Sequence, residues 1–257
     1  MNLEMIFFDV GGTIDLYPKN DQGVIDACGR MQEMLVRGGI TAVRALSPEA
    51  FRSMVLEGLE DYKAWRLQDL EELSPEDLWE RFILKGVDYR REDLMPLAED
   101  LTFMVDTQFV DRSARSEAAE VLEAIRKRNL RMGIISNVLS RRQVAFSMEQ
   151  YGLEDYFDTV VLSSVVGKRK PHPEIFSRAC REASVDPRAV LFIGNSPIKD
   201  IGGAQKAGIG HTVLIRYEHT SAKDTGPKAD YEIHDLRELV PIIDGILASQ
   251  TEGAAVR

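Results

Sequence analysis

Asp9 closes an unbroken apolar run, Met5-Ile6-Phe7-Phe8, and is followed at once by Val10-Gly11-Gly12-Thr13. A carboxylate so placed can act as a nucleophile or hold a hard cation. The two glycines permit a sharp turn and a close approach to a ligand. Thr13 offers a hydroxyl to an anion. Three later clusters carry comparable groups. Ile134-Ile135-Ser136-Asn137 ends an apolar run in a hydroxyl and an amide. Gly167-Lys168-Arg169-Lys170-Pro171-His172-Pro173 concentrates positive charge. Phe192-Ile193-Gly194-Asn195-Ser196-Pro197-Ile198-Lys199-Asp200 places an amide and a carboxylate after a further apolar run. Each has a plainer reading as well: Asp9 as a turn former, Ser136 as a helix cap, Lys168 and Arg169 as a basic surface loop.

These groups need elements to hold them. A short run as apolar as Met5–Phe8 reads as a strand buried on both faces, as in a parallel sheet. Asp9 then lies at the carboxyl end of a strand, where open α/β sheets place their ligands. Four more short apolar strands are expected at 130–136, 159–162, 190–193 and 212–215. Helices are expected at 116–128, 141–151, 173–183, 200–207 and 236–247. Strands alternating with helices predict a parallel α/β sheet. The stretch from Asp21 to about Phe109 differs. Val24, Cys28, Met31 and Leu35 recur at helical spacing. Ser47-Pro48-Glu49 supplies a cap, a proline at the first helical position and an acid in the first turn. Ser74-Pro75-Glu76-Asp77 repeats this, with an acid three residues after the serine as in a capping box. The stretch reads as a separate helical unit.

The chain has 257 residues, 44% of them hydrophobic, enough for one large domain or two unequal ones. A net charge of -10 argues against broad nucleic-acid binding, which needs a basic face. Cys28 and Cys180 stand far apart and read as buried free thiols in a reducing cytosol. Asp9 interrupts the first apolar run, so no secretory signal is expected there. No stretch is long enough to span a bilayer. The expectation is a cytoplasmic protein without a membrane partner, its oligomeric state left open.

The four clusters, in this order, resemble the motifs of the haloacid dehalogenase-like hydrolases. The resemblance implies a Rossmann-like parallel sheet core at 1–15 and 111–250. It implies an inserted α-helical cap domain at 16–110; the terminal 251–257 reads by itself as a flexible tail. It also implies a phosphatase acting on a small phosphorylated metabolite through an aspartyl-phosphate. Asp9 matches the nucleophile and Lys170 the charge-neutralising lysine, with Lys168 as the nearby alternative. Gly12, Thr13, Ser136 and Asn137 fall to substrate binding. Asp9, the Gly11 carbonyl, Asn195 and Asp200 fall to a magnesium ion.

Two positions depart from the family's phosphatase pattern. Gly11 stands where a phosphatase has the aspartate that protonates the leaving group, a loss worth roughly 10²–10⁴-fold in rate. Asn195 stands where a charged metal ligand is usual, so magnesium should bind more weakly. Asp15, close in sequence, His172, or a cap residue such as Lys63, Trp65, Arg66 or Lys85 could compensate, and Lys199 could neutralise charge beside Asp200. Two other readings stay open. One is a degenerate relative that keeps the anion pocket for binding or regulation. The other is carbon–halogen or carbon–phosphorus cleavage.

Overall fold

The computed structural model describes residues 2–216 and 225–255, with side chains to residue 250. The first strand, β1 (Met5–Phe8), lies in the middle of a six-stranded sheet. Two short strands, β2 (Asp15–Leu16) and β3 (Ser113–Ala114), pair antiparallel outside that sheet. The main sheet continues with β4 (Arg131–Ser136), β5 (Thr159–Leu162), β6 (Val190–Gly194), β7 (His211–Ile215) and β8 (Tyr231–Ile233). Its order is β5-β4-β1-β6-β7-β8, and every pairing is parallel. This is the expected α/β, Rossmann-like parallel sheet. The chain leaves β1 for β4 on one side and later enters β6 on the other. The crevice where the winding reverses opens above the end of β1, beside Asp9.

Alternation along β1 explains why all four of its residues are buried. Ile6 and Phe8 join one core with Ile134, Leu191, Ile193 and Val213, covered by the helices Ala118–Arg126 and Leu239–Ala255. Met5 and Phe7 join the opposite core with Ile135, Val161, Val190 and Phe192. The helix Pro173–Ala183 covers that face. A strand lined on both faces has little freedom to shift, so the residue at its end is fixed in position.

A third core lies wholly outside the sheet. Val24, Cys28, Met31 and Leu35 of the helix Asp21–Arg37 pack with Phe51, Val55 and Tyr62 of the helix Pro48–Asp69. Trp79, Leu101 and Met104 complete it. Both expected caps form: Ser47 accepts from the Ala50 N–H at 3.2 Å, and Ser74 from the Asp77 N–H at 3.1 Å. The second is not a full capping box, because the Asp77 carboxylate pairs with Arg91 instead, at 2.9 Å. The helix it starts, Pro75–Leu78, passes into a wider π-type turn at Trp79–Ile83.

Several elements differ from the sequence expectation. β8 and the β2–β3 pair are two or three residues long, too short for an alternation to register. The helix expected at 200–207 is instead a π-type turn, Pro197–Ile201, followed by a short helix, Gly202–Lys206. The terminal helix runs Leu239–Ala255 and takes in most of the expected tail. Two alanines, good helix formers, stand at its end. Val256 and Arg257 lie outside the described residues, as do residues 217–224 of the expected core.

Candidate active site

Asp9 follows β1 directly, and its N–H donates to the Ile193 carbonyl of β6 at 2.9 Å. Its side chain, 6% exposed, meets Lys170. The Lys170 Nζ donates to Asp9 Oδ1 at 2.6 Å and to the Ile135 carbonyl of β4 at 2.9 Å. It also lies 2.7 Å from Asp200 Oδ1 as an ion pair. One ammonium therefore joins two carboxylates whose residues are 191 positions apart. Burial pushes the Asp9 carboxyl up to about 6, with the negative charge of Asp200 adding to it and Lys170 opposing. Burial works to lower the Lys170 ammonium. The charges of Asp200 and Asp9 outweigh it and hold the group above its ordinary value.

The sequence builds this cluster by local means. Asn137 clamps the backbone of Lys170 from both sides. Its Oδ1 accepts from the Lys170 N–H at 2.9 Å, and its Nδ2 donates to the Lys170 carbonyl at 3.0 Å. The amide expected to contact substrate is thus occupied in positioning the lysine. Asp200 Oδ2 accepts the N–H groups of Asn195 and Ser196 at 3.1 and 2.9 Å. Gly194 makes room for this, since a Cβ there would sit 2.5 Å from the Asp200 side chain.

The substrate-binding candidates sit around the same point. Ser136 ends β4 and is buried. Thr13 is fully buried, and its hydroxyl has no partner among the described residues. A buried hydroxyl left so is a donor available to an oxyanion. Gly12 holds φ 85°, a conformation that favours glycine, but its N–H already donates to the Asp15 carbonyl at 2.8 Å. Gly11, expected to serve the same turn, has no positive φ. Its small size answers to a neighbour, the Tyr17 ring.

Several groups weighed as replacements for the missing acid are committed elsewhere. Asp15 is fully buried and binds Arg112 at 2.9 Å and the Tyr151 hydroxyl at 3.1 Å. His172 caps a helix, accepting the Glu174 N–H at 3.1 Å on Nδ1. Lys63 pairs with Glu60; Lys168, the alternative to Lys170, pairs with Glu71. Trp65 stacks on Tyr62, and the Arg66 guanidinium lies 5.3 Å over the same ring. Lys199 is exposed. Desolvation lowers its ammonium, Asp200 opposes, and the positive charges of Arg169, Arg66 and Lys170 lower it further.

Two features had no signal in the sequence. Tyr17 is a lone tyrosine in a polar turn, yet its hydroxyl feels the site. Burial and the negative charge of Asp9 raise it, against Arg112, so it stays protonated at neutral pH. Glu72 is buried, accepts hydrogen bonds from Tyr62 and from Ser163 (2.7 Å), and pairs with Arg169. It ties the helical region to the loop that carries Lys170.

Two carboxylates, a buried lysine and a free buried hydroxyl at the switch point of a parallel sheet suit transfer of an anionic group. Residues 49–214 match the family model described as haloacid dehalogenase-like hydrolase. The chain belongs to this family. The matched stretch holds Ser136, Lys170, Asn195 and Asp200, and Asp9 precedes it. Among curated relatives, a glyceraldehyde 3-phosphate phosphatase from Methanopyrus kandleri is 30% identical over 54% of this chain and 60% of the relative. The mouse haloacid dehalogenase-like hydrolase domain-containing protein 3 is 31% identical over 60% of this chain and 64% of the relative. The chain thus spans less than two thirds of the length of either relative. Two solved structures share the fold over nearly the whole chain. A phosphatase from Thermococcus onnurineus has a TM-score of 0.58 at 22% identity, covering 94% of this chain and 98% of that one. A 2-haloacid dehalogenase from Pseudomonas syringae has a TM-score of 0.63 at 21% identity, covering 95% and 98%. One fold here carries two chemistries, so the choice between them rests on the site. Among the described residues no helix is long and apolar enough to cross a membrane.

Proposed function

We propose that the protein is a phosphatase acting on a small phosphorylated metabolite, with Asp9 as the nucleophile. The observation that carries this reading is the buried Lys170 ammonium between Asp9 and Asp200. A carboxylate attacks a dianionic phosphoryl group only where the mutual repulsion is offset in advance. Lys170 supplies a fixed positive charge against Asp9. The Thr13 hydroxyl, with Ser136, is available to the phosphoryl oxygens. The phosphatases among the relatives support the same reaction class.

Magnesium fits the donor chemistry of the site. Asp9, Asp200, the Asn195 amide and the Gly11 carbonyl are all oxygen donors, as a hard cation requires. Buried Asp200 Oδ1 is ion-paired with Lys170 at 2.7 Å and has no other partner among the described residues, so it keeps an open lone pair. Two carboxylates already shared with an ammonium predict weak affinity. The ion would further neutralise the phosphoryl oxygens. In the same reading the helices of 16–110 act as a cap over the core of 1–15 and 111–250, and free buried cysteines suit the cytoplasm.

The test is hydrolysis of 4-nitrophenyl phosphate in the presence of magnesium, with peptide mass spectrometry of the stalled enzyme. The expected result is turnover that Asp9→Asn lowers by several orders of magnitude. A phosphoryl adduct should appear on the Asp9 peptide. Turnover that survives Asp9→Asn overturns the reading. Tight phosphate binding without turnover supports the second reading, a binding-only relative, which Gly11 and Asn195 favour.

A further inference from the structure

Glycine at position 11 is not required by the backbone. The glycines with positive φ include Gly12 but not Gly11, so any residue could adopt its conformation. The restriction is spatial. The three atoms nearest to a Cβ built on Gly11 all belong to the Tyr17 ring: Cε1 at 3.3 Å, Cδ1 at 3.6 Å and Cζ at 3.9 Å. The ring fills the space that a side chain at position 11 would enter. The missing side chain and the tyrosine are therefore two halves of one arrangement.

The fold places this ring deliberately. The Gly12 N–H donates to the Asp15 carbonyl at 2.8 Å and turns the chain back. β2 then pairs with β3 and sets Tyr17 over Gly11. The Arg112 guanidinium lies 5.5 Å from the ring centroid. Arg112 is itself fixed, donating to Asp15 Oδ2 at 2.9 Å and to the Asp106 carbonyl at 3.0 Å. Asp15 is held in turn by the Tyr151 hydroxyl at 3.1 Å. Tyr17 stays 45% exposed, so a substrate can reach it. Of the other groups weighed for this duty, Asp15 has its Oδ2 held by Arg112 and Tyr151, and His172 has its Nδ1 committed to a helix cap.

We propose that Tyr17 is the proton donor to the leaving group, supplied by the loop after β1 in place of a side chain at position 11. The assignment rests on the phosphatase reading above. In the first step an Asp9 carboxylate oxygen bonds to phosphorus and the bond from phosphorus to the alcohol oxygen breaks. The electron pair stays on that oxygen, which takes the Tyr17 hydroxyl proton and leaves as the alcohol. In the second step water bonds to phosphorus, and the phenolate takes back a proton from it. The bond between phosphorus and Asp9 breaks, and its electron pair restores the carboxylate. The sum is ester and water to alcohol and phosphate. The substrates this selects are alkyl phosphate esters, whose alkoxides are poor leaving groups without a proton.

The experiment compares wild type, Tyr17→Phe and Asp9→Asn on glycerol phosphate and on 4-nitrophenyl phosphate, reading kcat/KM. This constant reports the step that releases the alcohol. Tyr17→Phe keeps the ring and its packing and removes only the hydroxyl. The expected result is a loss of roughly 10²–10⁴-fold on the alkyl ester and less than about tenfold on the aryl ester. Equal losses on both esters make Tyr17 a packing residue and overturn the assignment. So does an unchanged rate on the alkyl ester, or a wild type that hydrolyses only the aryl ester. Absence of any Asp9-dependent turnover in the wild type overturns the phosphatase reading, and the assignment falls with it. Full wild-type turnover with an indifferent Tyr17→Phe overturns the assignment alone.

Discussion

Arg169 and Lys170 are adjacent, both cationic and both buried, yet they serve different regions. Lys170 faces the end of β1, where it is shared by Asp9 and Asp200. Arg169 faces the helical region, where it meets Glu72. Their protonation equilibria move in opposite directions. Two carboxylates outweigh desolvation at Lys170 and raise it. At Arg169 desolvation outweighs the single carboxylate of Glu72 and, with the charge of Arg66, lowers it. The backbone makes the same division. Asn137 holds Lys170 to the sheet, whereas the Arg169 N–H donates to the Leu70 carbonyl at 3.0 Å, on the helical side. One loop therefore anchors the Asp9–Asp200 cluster with one residue and a second body of structure with the next. The two cluster types differ in what they leave unsatisfied: Glu72 is fully partnered, while the hydroxyl of Thr13 is not.

The comparison breaks most sharply through crossed substitutions. Arg169→Met leaves Glu72 buried without its cation, which typically costs about 3–5 kcal/mol. Urea denaturation should show that loss, while the spacing of Asp9, Lys170 and Asp200 survives. Lys170→Met should do the reverse. Asp9, whose carboxyl burial already pushes up, can take up a proton when the ammonium is gone, which limits the damage to the fold. Phosphatase activity should fall on the order of 10²–10³-fold, the usual scale for one preorganised charge. Should Arg169→Met instead abolish activity in the folded protein, the division of labour between the two residues is refuted.

The sheet was readable because its strands are short, apolar and bounded by turn residues, and the site because its motifs fall at strand ends. Asp9 was legible from its place after an apolar run, and Lys170 and Asp200 from the resemblance of their motifs to the family's. Asn137 shows where such reading stops. Its position was visible, but the partner that occupies its amide is 33 residues away. Tyr17 and Glu72 were invisible for a related reason. Their surroundings arise from chain reversal and long-range packing, and neither sits in a periodic or motif-like context. Gly11 was read as a conformational need, when the structure shows a spatial one, which only the neighbouring ring discloses.

A smaller effect sharpens the Lys170 side alone. In Gly194→Ala the added methyl meets Asp200 Cβ and Cγ at 2.5 Å and Oδ2 at 2.7 Å. Asp200 must shift, weakening its hydrogen bonds from Asn195 and Ser196. Overpacking of this kind costs about 1–3 kcal/mol. Activity should drop with stability, because the displaced carboxylate is one of the two that hold Lys170. A variant that loses stability but keeps full activity would show that Asp200 matters only to the fold.

The smallest effect concerns a second tie between the regions, one made without a direct cation. Asp106, at the end of the helix Ala98–Gln108, accepts the N–H groups of Leu139 and Ser140 at 2.9 and 2.7 Å. Burial pushes its carboxyl up to about 6, with those hydrogen bonds and the charge of Arg112 opposing. A folded-state value above the ordinary 3.8 means the native protein holds this proton more tightly than the unfolded chain. The group's contribution to stability is complete below its ordinary value and is lost as pH rises through about 6. Asp106→Asn keeps an oxygen acceptor for both N–H groups and does not titrate. Relative to wild type it should gain stability between about pH 4 and 6, at no more than about 1.4 kcal/mol per pH unit. Above that range the gain should level off. Denaturation midpoints at half-unit pH steps would check this. A flat difference means that Asp106 is solvated in the folded protein and ties nothing. A slope confined to this window means that the helical region is held to the core by a carboxylate that is cheapest when neutral, in contrast to Glu72, which is paired with Arg169.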